Sequence, residues 1–211
     1  MSIATHRCAV LGKPIAHSLS PVLHNAAYQA LGFTDWTYDR HEIGEDDLDG
    51  FLKTLTPSWR GLSLTMPLKR TIQPYGTPSN LWAKELRVAN TAVFDWSHPT
   101  HDPAWPHGKP SIALYNTDVI GIQLAFDQAH REFATYRDGD RTGHALVIGN
   151  GNTATSAVAA LAMMPEIGHI TIAARHPGNN ATLRTIATKY IPTAAPYREI
   201  NLADERAMLE T

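Results

Sequence analysis

The stretch GKPIAHSLSPVLHN, from Gly12 to Asn25, decides how the chain begins to fold. The apolar run from Cys8 to Leu11 leads into it and predicts a buried strand. Pro21 lacks a backbone N–H and fits only the start of a helix, so we expect a helix over Pro21 to Leu31 that is ended by Gly32. The stretch therefore predicts a strand, a polar turn and a helix in succession.

Ser18 and Ser20 stand one residue apart in this turn. If the backbone from His17 to Ser20 is extended, its period of two places both hydroxyls on the same side, where they form a small polar site. The alternative for Ser20 is structural, because a serine directly before Pro21 is typical of a helix N-cap. That alternative does not extend to Ser18, and the pair together indicates a binding site.

The composition excludes several classes of protein. With 43% apolar residues and a formal charge of −2 over 211 residues, the chain can bury a core but has no field that would recruit nucleic acid or an anionic membrane surface. The single Cys8 excludes an intramolecular disulfide framework, and the longest apolar run, Ala157 to Met164, is too short to cross a bilayer. We expect a soluble cytoplasmic protein, a monomer or homodimer, without nucleic-acid or membrane partners.

Strand and helix patterns alternate along the N-terminal half. Trp36 and Tyr38 alternate with polar neighbours and predict a second strand. Acidic residues at 45–47 suit the first turn of a second helix, whose apolar stripe is formed by Leu48, Phe51, Leu52 and Leu55. The order of strand, helix, strand and helix indicates an α/β fold.

The stretch GLSLTMPLK, from Gly61 to Lys69, predicts a third strand. Its alternation places Leu62, Leu64 and Met66 on one face, and Ser63 and Thr65 on the other. Pro67 ends this strand and can begin a helix, which leaves Lys69 in the first helical turn. Lys69 is then either a lysine that exchanges protons with a ligand or an ordinary solvated surface lysine.

Two further strands are predicted over Ala89 to Phe94 and Ser111 to Leu114, joined by a long loop from Asp95 to Pro110. The loop contains three histidines, at 98, 101 and 107. Its prolines and the spacing of its ligand groups favour a solvated hairpin tip, so no metal is assigned.

The motif YNTD, from Tyr115 to Asp118, precedes a helical pattern over Val119 to Phe133. Asp118 is a candidate N-cap of that helix. It is also a carboxylate at the end of a strand, where α/β folds place their chemistry.

A second α/β pattern begins at HALVIGNGNTATSAVAALAMM. Ala145 to Ile148 predicts a buried parallel strand, and Gly149, Gly151 and Ala154 fit GxGxxA before an alanine-rich helix. The first glycine makes the tight turn, the second lets a pyrophosphate approach the backbone, and the small third residue lets the helix pack on the strand. The pattern predicts a Rossmann-type dinucleotide site.

The next predicted strand, Ile170 to Ala174, is followed by Arg175 and not by the acidic residue that would bind a ribose 2′-hydroxyl. An arginine there can pair with a 2′-phosphate, which favours NADP over NAD, although Arg175 could also be a surface charge. A helix over Ala181 to Lys189 and a possible strand over Arg198 to Leu202 follow. The second half of a dinucleotide fold has no counterpart, so we expect an incomplete domain.

Five motifs occur together along the chain: GKPIAHSLSPVLHN, LTMPLK, ANT at 89–91, NTD at 116–118 and the glycine loop. Their order and spacing are those of shikimate dehydrogenases, including their quinate-using relatives, and the chain resembles that family over nearly its whole length. The resemblance implies an α/β substrate-binding and catalytic domain over residues 1–117. It also implies a C-terminally incomplete Rossmann-type NADP-binding domain over residues 118–211, with catalysis in the cleft between the two.

The resemblance also implies roles for single residues. Ser18 and Ser20 would hold the substrate carboxylate, while three residues would bind the ring hydroxyls: Thr65, Asn90 and Asp118. Lys69 and Asp118 would form the catalytic dyad. NADP would be held by Arg175 and by the loop Gly149, Asn150, Gly151, Asn152, Thr153 and Ala154.

The chain departs from the family pattern at several positions. Ser63 stands where the family has Asn, Asn152 stands where the phosphate loop has Gly, and three other positions usually hold Gly: Val88, Leu114 and Val119. The family's last Rossmann strands, and a C-terminal helix whose glutamine contacts the substrate, have no counterpart.

The expected reaction is the reversible NADPH-dependent reduction of 3-dehydroshikimate to shikimate, a step in aromatic amino acid biosynthesis. Two alternatives stay open. One is a truncated, noncatalytic module that binds shikimate, and the other is an NAD-dependent quinate and shikimate dehydrogenase.

Overall fold

The fold is described from a computed structural model, in which residues 5–133, 143–190, 197–204 and 206–207 are described. The chain divides into two compact units, Met1–Asn116 and Thr117–Thr211. Each unit contains its own sheet with helices. Over the described ranges, no helix is both long enough and apolar enough to span a membrane.

The N-terminal unit is built on a six-stranded sheet with the strand order β2-β1-β3-β5-β6-β4. Its elements are β1 (His6–Gly12), α1 (Ser20–Ala30), β2 (Trp36–Glu42), α2 (Leu48–Lys53), β3 (Trp59–Leu64), α3 (Leu68–Thr71), a 3₁₀ turn (Gln73–Tyr75), β4 (Thr77–Pro78), α4 (Leu81–Leu86), β5 (Thr91–Thr100) and β6 (Lys109–Tyr115). Strand β1 runs parallel to β2 and β3, whereas β5 runs antiparallel to β3 and β6. Thr91, the first residue of β5, pairs with Ser63 near the end of β3 and with Tyr115 at the end of β6. The ends of β1, β3 and β6 and the start of β5 therefore lie at the same end of the sheet, called here the carboxyl end.

The main core covers one face of this sheet. Leu62 and Leu64 of β3 point into it and are buried, and the predicted stripe of α2 packs there through Leu48 and Leu52. A second, smaller cluster of buried apolar side chains contains Tyr38 of β2. These buried groups follow the strand and helix periodicities read from the sequence.

Helix α1 is joined to β2 through one amide side chain. The Nδ2 of Asn25 donates to the carbonyl of Tyr38 at 2.8 Å, and its Oδ1 accepts from the Tyr38 backbone N–H at 3.0 Å. The same Nδ2 also donates to the carbonyl of Pro21 at 2.8 Å. Asn25 therefore holds α1 against β2, the edge strand of the sheet. Helix α1 directly follows the turn that contains Ser18 and Ser20, which is called here the serine turn.

Two predictions about strand ends are wrong. Strand β3 ends at Leu64 and Met66 is 66% exposed, because the chain turns there and Leu68 N donates to the Thr65 carbonyl at 2.7 Å. Strands β5 and β6 also continue past the predicted ends, since Thr100 still pairs with Lys109. The connecting loop therefore spans residues 101–108 and not 95–110.

The C-terminal unit is a parallel three-stranded sheet with its helices. Its elements are α5 (Asp118–Phe133), β7 (Gly143–Ile148), α6 (Asn152–Ala162), β8 (Ile167–Ala174), α7 (Ala181–Tyr190) and β9 (Tyr197–Asn201). The strand order is β7-β8-β9, and both strand pairs are parallel. This β-α-β-α-β order is that of one Rossmann half, so the predicted α/β class with a partial Rossmann-type domain is confirmed.

Gly12, at the end of β1, leaves no space for a side chain. A Cβ at this position would lie 2.9 Å from the Met66 carbonyl oxygen and would also collide with the Thr65 side chain. We expect Gly12→Ala to lower the free energy of unfolding by about 1–3 kcal/mol in urea titrations, the usual cost of overpacking. Gly50→Ala is the matched control, because a Cβ there meets nothing within 4 Å and alanine suits the helix α2. A Gly12→Ala variant as stable as the wild type would contradict this account.

Candidate active site

Two of the candidate residues, Thr65 and Asn90, lie at the carboxyl end of the N-terminal sheet, where β3 ends and β5 begins. Beyond the end of β3, Thr65 N donates to the Leu11 carbonyl at 2.9 Å. Asn90 N donates to the Tyr115 carbonyl at 3.0 Å, and the Asn90 carbonyl accepts from Leu64 N at 2.8 Å. Sheet pairing therefore continues one step past the regular strands and fixes the backbone of both residues.

The serine turn lies next to the end of β1, but it is not extended as expected. Ser18 N donates to the Ile15 carbonyl at 3.0 Å and Leu19 has helical dihedral angles, so the chain turns twice before α1. The two serines stay adjacent, since Ser20 N donates to Ser18 Oγ at 3.3 Å. The guanidinium of Arg40 holds the turn through the carbonyls of Ala16, at 2.6 Å, and Ser18, at 3.1 Å.

The structural alternative for Ser20 is wrong. The N-cap of α1 is Leu19, and the helix has no side-chain cap. Because Ser20 is itself the first helical residue, its hydroxyl lies inside the first turn and not at the capping position. Both serines are half-buried, so neither side chain is fully turned out into solvent.

Lys69 lies on the single turn of α3, which Leu68 anchors in the core with no exposed surface. The carbonyl of Lys69 accepts from Ala89 N at 2.8 Å, so α3 is tied to the segment that leads into Asn90. The side-chain Oδ1 of Asn90 accepts from Thr91 Oγ1 at 3.0 Å. The N-terminal unit thus brings Lys69 and Asn90 onto neighbouring, hydrogen-bonded segments.

Two asparagines fix the backbone that follows β6. The sequence analysis assigned this role to neither of them. Asn80 Nδ2 donates to the Asn116 carbonyl at 2.8 Å, and Asn80 Oδ1 accepts from Asn116 N at 3.2 Å. Asn116 is fully buried and its side chain donates to the Val88 carbonyl at 3.1 Å. Asp118 follows as the first residue of α5 and belongs to the C-terminal unit.

Ser63, where the resemblance leads one to expect Asn, receives a hydrogen bond from a buried phenol. Tyr38 Oη donates to Ser63 Oγ at 2.7 Å, and Tyr38 is 3% exposed. Burial raises the pKa of Tyr38 and outweighs the opposing effect of this hydrogen bond, so the phenol stays protonated and remains the donor. The glycine positions of the family pattern are filled by fully buried apolar side chains: Val88, Leu114 and Val119.

In the C-terminal unit the glycine loop has open space around its two glycines. Gly149 has φ = +108°, a conformation that side chains rarely adopt, and Gly151 is the N-cap of α6. Helix α6 has neither a side-chain cap nor an acidic residue in its first turn. A Cβ at either glycine would meet nothing within 4 Å. These features fit the phosphate groups of a dinucleotide, which bind the exposed N–H groups at a helix N-terminus.

A cavity of about 360 Å³ joins this loop to the end of β8. It is lined by Ile148, Gly149, Asn150, Gly151, Ala173, Ala174, Arg175, His176 and Leu202. Arg175 is exposed, and none of the lining residues is acidic. Of the predicted cofactor residues, the structure therefore brings Gly149, Asn150, Gly151 and Arg175 to one cavity, while Asn152, Thr153 and Ala154 continue from the loop into α6.

The described part of the chain contains no candidate metal site. No group of three or more His, Cys, Asp or Glu side chains there could hold a metal ion. His98, His101 and His107 lie at or near the tip of the β5–β6 hairpin.

Comparison with known proteins gives consistent matches. Residues 10–92 match the shikimate dehydrogenase substrate binding domain. The NADP(+) shikimate dehydrogenase of Natronomonas pharaonis is 32% identical over 154 residues, which are 72% of this chain and 49% of that protein. The crystal structure of Mycobacterium tuberculosis shikimate dehydrogenase is 35% identical with a TM-score of 0.68, covering 92% of this chain and 64% of that one.

A further structural neighbour is the shikimate 5-dehydrogenase of Thermus thermophilus, solved in complex with NADP(H) and shikimate. It is 25% identical with a TM-score of 0.66, covering 92% of this chain and 62% of that one. The chain thus spans about half the length of curated relatives such as the N. pharaonis enzyme, and under two thirds of these solved chains. The resemblance seen in the sequence is confirmed: the chain belongs to the shikimate dehydrogenase family, of which it carries the substrate-binding domain and part of a Rossmann-type domain.

Proposed function

We propose that this chain supplies the active site of an NADP-dependent shikimate dehydrogenase, which reversibly reduces 3-dehydroshikimate to shikimate. The observation that carries the proposal is that Thr65 and Asn90 lie together where β3 ends and β5 begins, with Lys69 on a segment hydrogen-bonded to the one that leads into Asn90. A relative solved with NADP(H) and shikimate supports the choice of both ligands.

Substrate binding is assigned to hydroxyl and amide side chains. Ser18 and Ser20 donate hydrogen bonds to the substrate carboxylate, which is an acceptor only. Thr65, Asn90 and Asp118 bind the ring hydroxyls, each of which can both donate and accept. A polyhydroxylated acid is thereby oriented without any metal ligand.

Proton transfer is assigned to Lys69. When bound, NADPH supplies the hydride that reduces the ring ketone. Lys69 donates a proton to the carbonyl oxygen as negative charge develops there, so that the ketone gains one hydride and one proton and becomes an alcohol. Asp118 orients the ammonium group through a charge-assisted hydrogen bond. In the reverse direction Lys69 accepts the hydroxyl proton.

Cofactor binding is assigned to the glycine loop, residues 149–154, and to Arg175. The loop offers backbone N–H groups to the pyrophosphate, and Arg175 pairs with the 2′-phosphate. With no acidic side chain among the cavity-lining residues, nothing there favours a free ribose 2′-hydroxyl over a phosphate. This arrangement favours NADP over NAD.

Steady-state kinetics on the purified 211-residue chain test the proposal. Shikimate and NADP should give the near-ultraviolet absorbance of the reduced nicotinamide. The kcat/KM should be smaller when NAD replaces NADP or when quinate replaces shikimate. Absence of turnover with every pair of reactants would overturn the proposed activity of this chain.

One other candidate is a module that binds shikimate without catalysis, because residues 10–92 alone match the shikimate dehydrogenase substrate binding domain. Calorimetric titrations with NADPH and with shikimate separate the two functions. Binding of shikimate but not of NADPH would support the noncatalytic module, whereas binding of both supports the enzyme.

A further inference from the structure

A side-chain network in the C-terminal unit connects the glycine loop to the turn that carries Arg175. Asn180 Nδ2 donates to the Asn150 carbonyl at 2.8 Å and to Thr155 Oγ1 at 2.9 Å. Thr155, which is fully buried, in turn donates to the Gly151 carbonyl at 3.1 Å. Asn150 Nδ2 donates to the carbonyl of His176, the residue after Arg175. The loop and the turn are thus held together by side chains from both.

The network fixes the direction of the loop's donors. In a planar trans peptide the C=O and N–H groups point in opposite directions. Holding the carbonyl of Asn150 towards Asn180 therefore directs the N–H of Gly151 to the opposite side. The carbonyl of Gly151 accepts from the backbone N–H of Thr155, at 3.0 Å, as well as from its hydroxyl, which does the same for the N–H of Asn152. Neither carbonyl is free to rotate towards an incoming phosphate, where it would repel the anion.

We propose that Asn180 is a positioning residue for NADP, which sets the pyrophosphate-binding loop at a fixed distance and orientation from the 2′-phosphate subsite at Arg175. This inference rests on the proposed function, because it assumes that NADP is the cofactor. Asn180 does not line the cavity, so it acts through Asn150 and Thr155 and not by touching the cofactor. Its effect is preorganisation, since a loop already held in its binding geometry loses less entropy on binding.

Asn180 also has a structural role, which the test must separate. Its Oδ1 accepts from Leu183 N at 3.1 Å and caps helix α7. Serine is an equally good N-cap but is too short to bridge to the loop. Asn180→Ser therefore keeps the cap and removes the two donated bonds. Asn179→Ser is the matched control, because Asn179 is exposed and adjacent in sequence.

Calorimetry on the 211-residue chain compares two ligands. NADP engages both the loop and Arg175, whereas adenosine 2′-phosphate has no pyrophosphate and engages only the Arg175 subsite. We expect Asn180→Ser to raise the Kd of NADP about tenfold, in line with the loss of two hydrogen bonds, and to leave the Kd of adenosine 2′-phosphate unchanged. In kinetics, the KM for NADP should rise while kcat and the KM for shikimate stay the same.

The possible outcomes are distinct. An Asn180→Ser variant that binds NADP like the wild type and like Asn179→Ser overturns the inference. Equal weakening of both ligands also overturns it, because that result indicates general damage to the unit. If the wild type binds shikimate but neither phosphate ligand, the proposed cofactor itself is wrong and the inference falls with it.

Discussion

Replacing Lys69 by alanine is expected to lower kcat for shikimate oxidation by about 10²–10⁴-fold, the range that a positioned acid or base contributes. The Kd of shikimate measured by calorimetry should change little, because the hydroxyls and amides assigned to binding remain. The variant should fold, since Leu68 and not Lys69 anchors α3 in the core. Steady-state kinetics and calorimetry on the same preparation give both quantities.

Lys84→Ala is the matched control, as Lys84 is an exposed lysine near the end of α4 in the same unit. It should leave both kcat and the Kd of shikimate unchanged. Near-normal turnover in Lys69→Ala would remove the proton-transfer role. A parallel loss of shikimate affinity would instead make Lys69 a binding residue.

Replacing Arg175 by glutamine is expected to change cofactor preference. Loss of the charge-assisted bond to the 2′-phosphate should reduce kcat/KM for NADP by about 10–100-fold, since hydrogen bonds to charged groups contribute about 1.5–3 kcal/mol. The kcat/KM for NAD should stay the same, because NAD has no phosphate at that position. The ratio of the two values, measured for wild type and variant, is the readout.

Arg198→Gln is the control for this change, because Arg198 is an exposed arginine on β9 that does not line the cavity. It should preserve the NADP to NAD ratio. An Arg175→Gln variant with the wild-type ratio would show that the arginine is an ordinary surface charge, the alternative that the sequence left open.

Sequence reasoning predicted burial well in the N-terminal unit, whereas its prediction that β7 is buried is wrong, since Leu146 is 42% and Ile148 67% exposed. The α2 stripe and the alternation of Leu62 and Leu64 follow from one face of each element meeting the core, and the structure buries them. Predictions failed where one local bond decides the path. The serine turn closes through Ser18 N and the Ile15 carbonyl, and Met66 turns outward at the bend before Leu68. Periodicity carries no information about such bonds.

The asparagines of the site show a second limit. Asn80 and Asn180 each precede a helix and cap it, since their Oδ1 atoms accept from the backbone N–H three residues on. Their Nδ2 groups donate to carbonyls 36 and 30 residues away, and no local pattern identifies an acceptor at that distance. Thr65 and Asn90 could be singled out only because a run of motifs, taken together, resembles a known family.

A crystal structure of the chain with shikimate and NADP bound tests the central assignment most directly. We expect Lys69 Nζ to lie about 2.6–3.2 Å from the oxygen on the reacting carbon and within hydrogen-bonding reach of the Asp118 carboxylate. Shikimate bound with its carboxylate away from Ser18 and Ser20, and with Lys69 and Asp118 directed into separate regions of solvent, would contradict it.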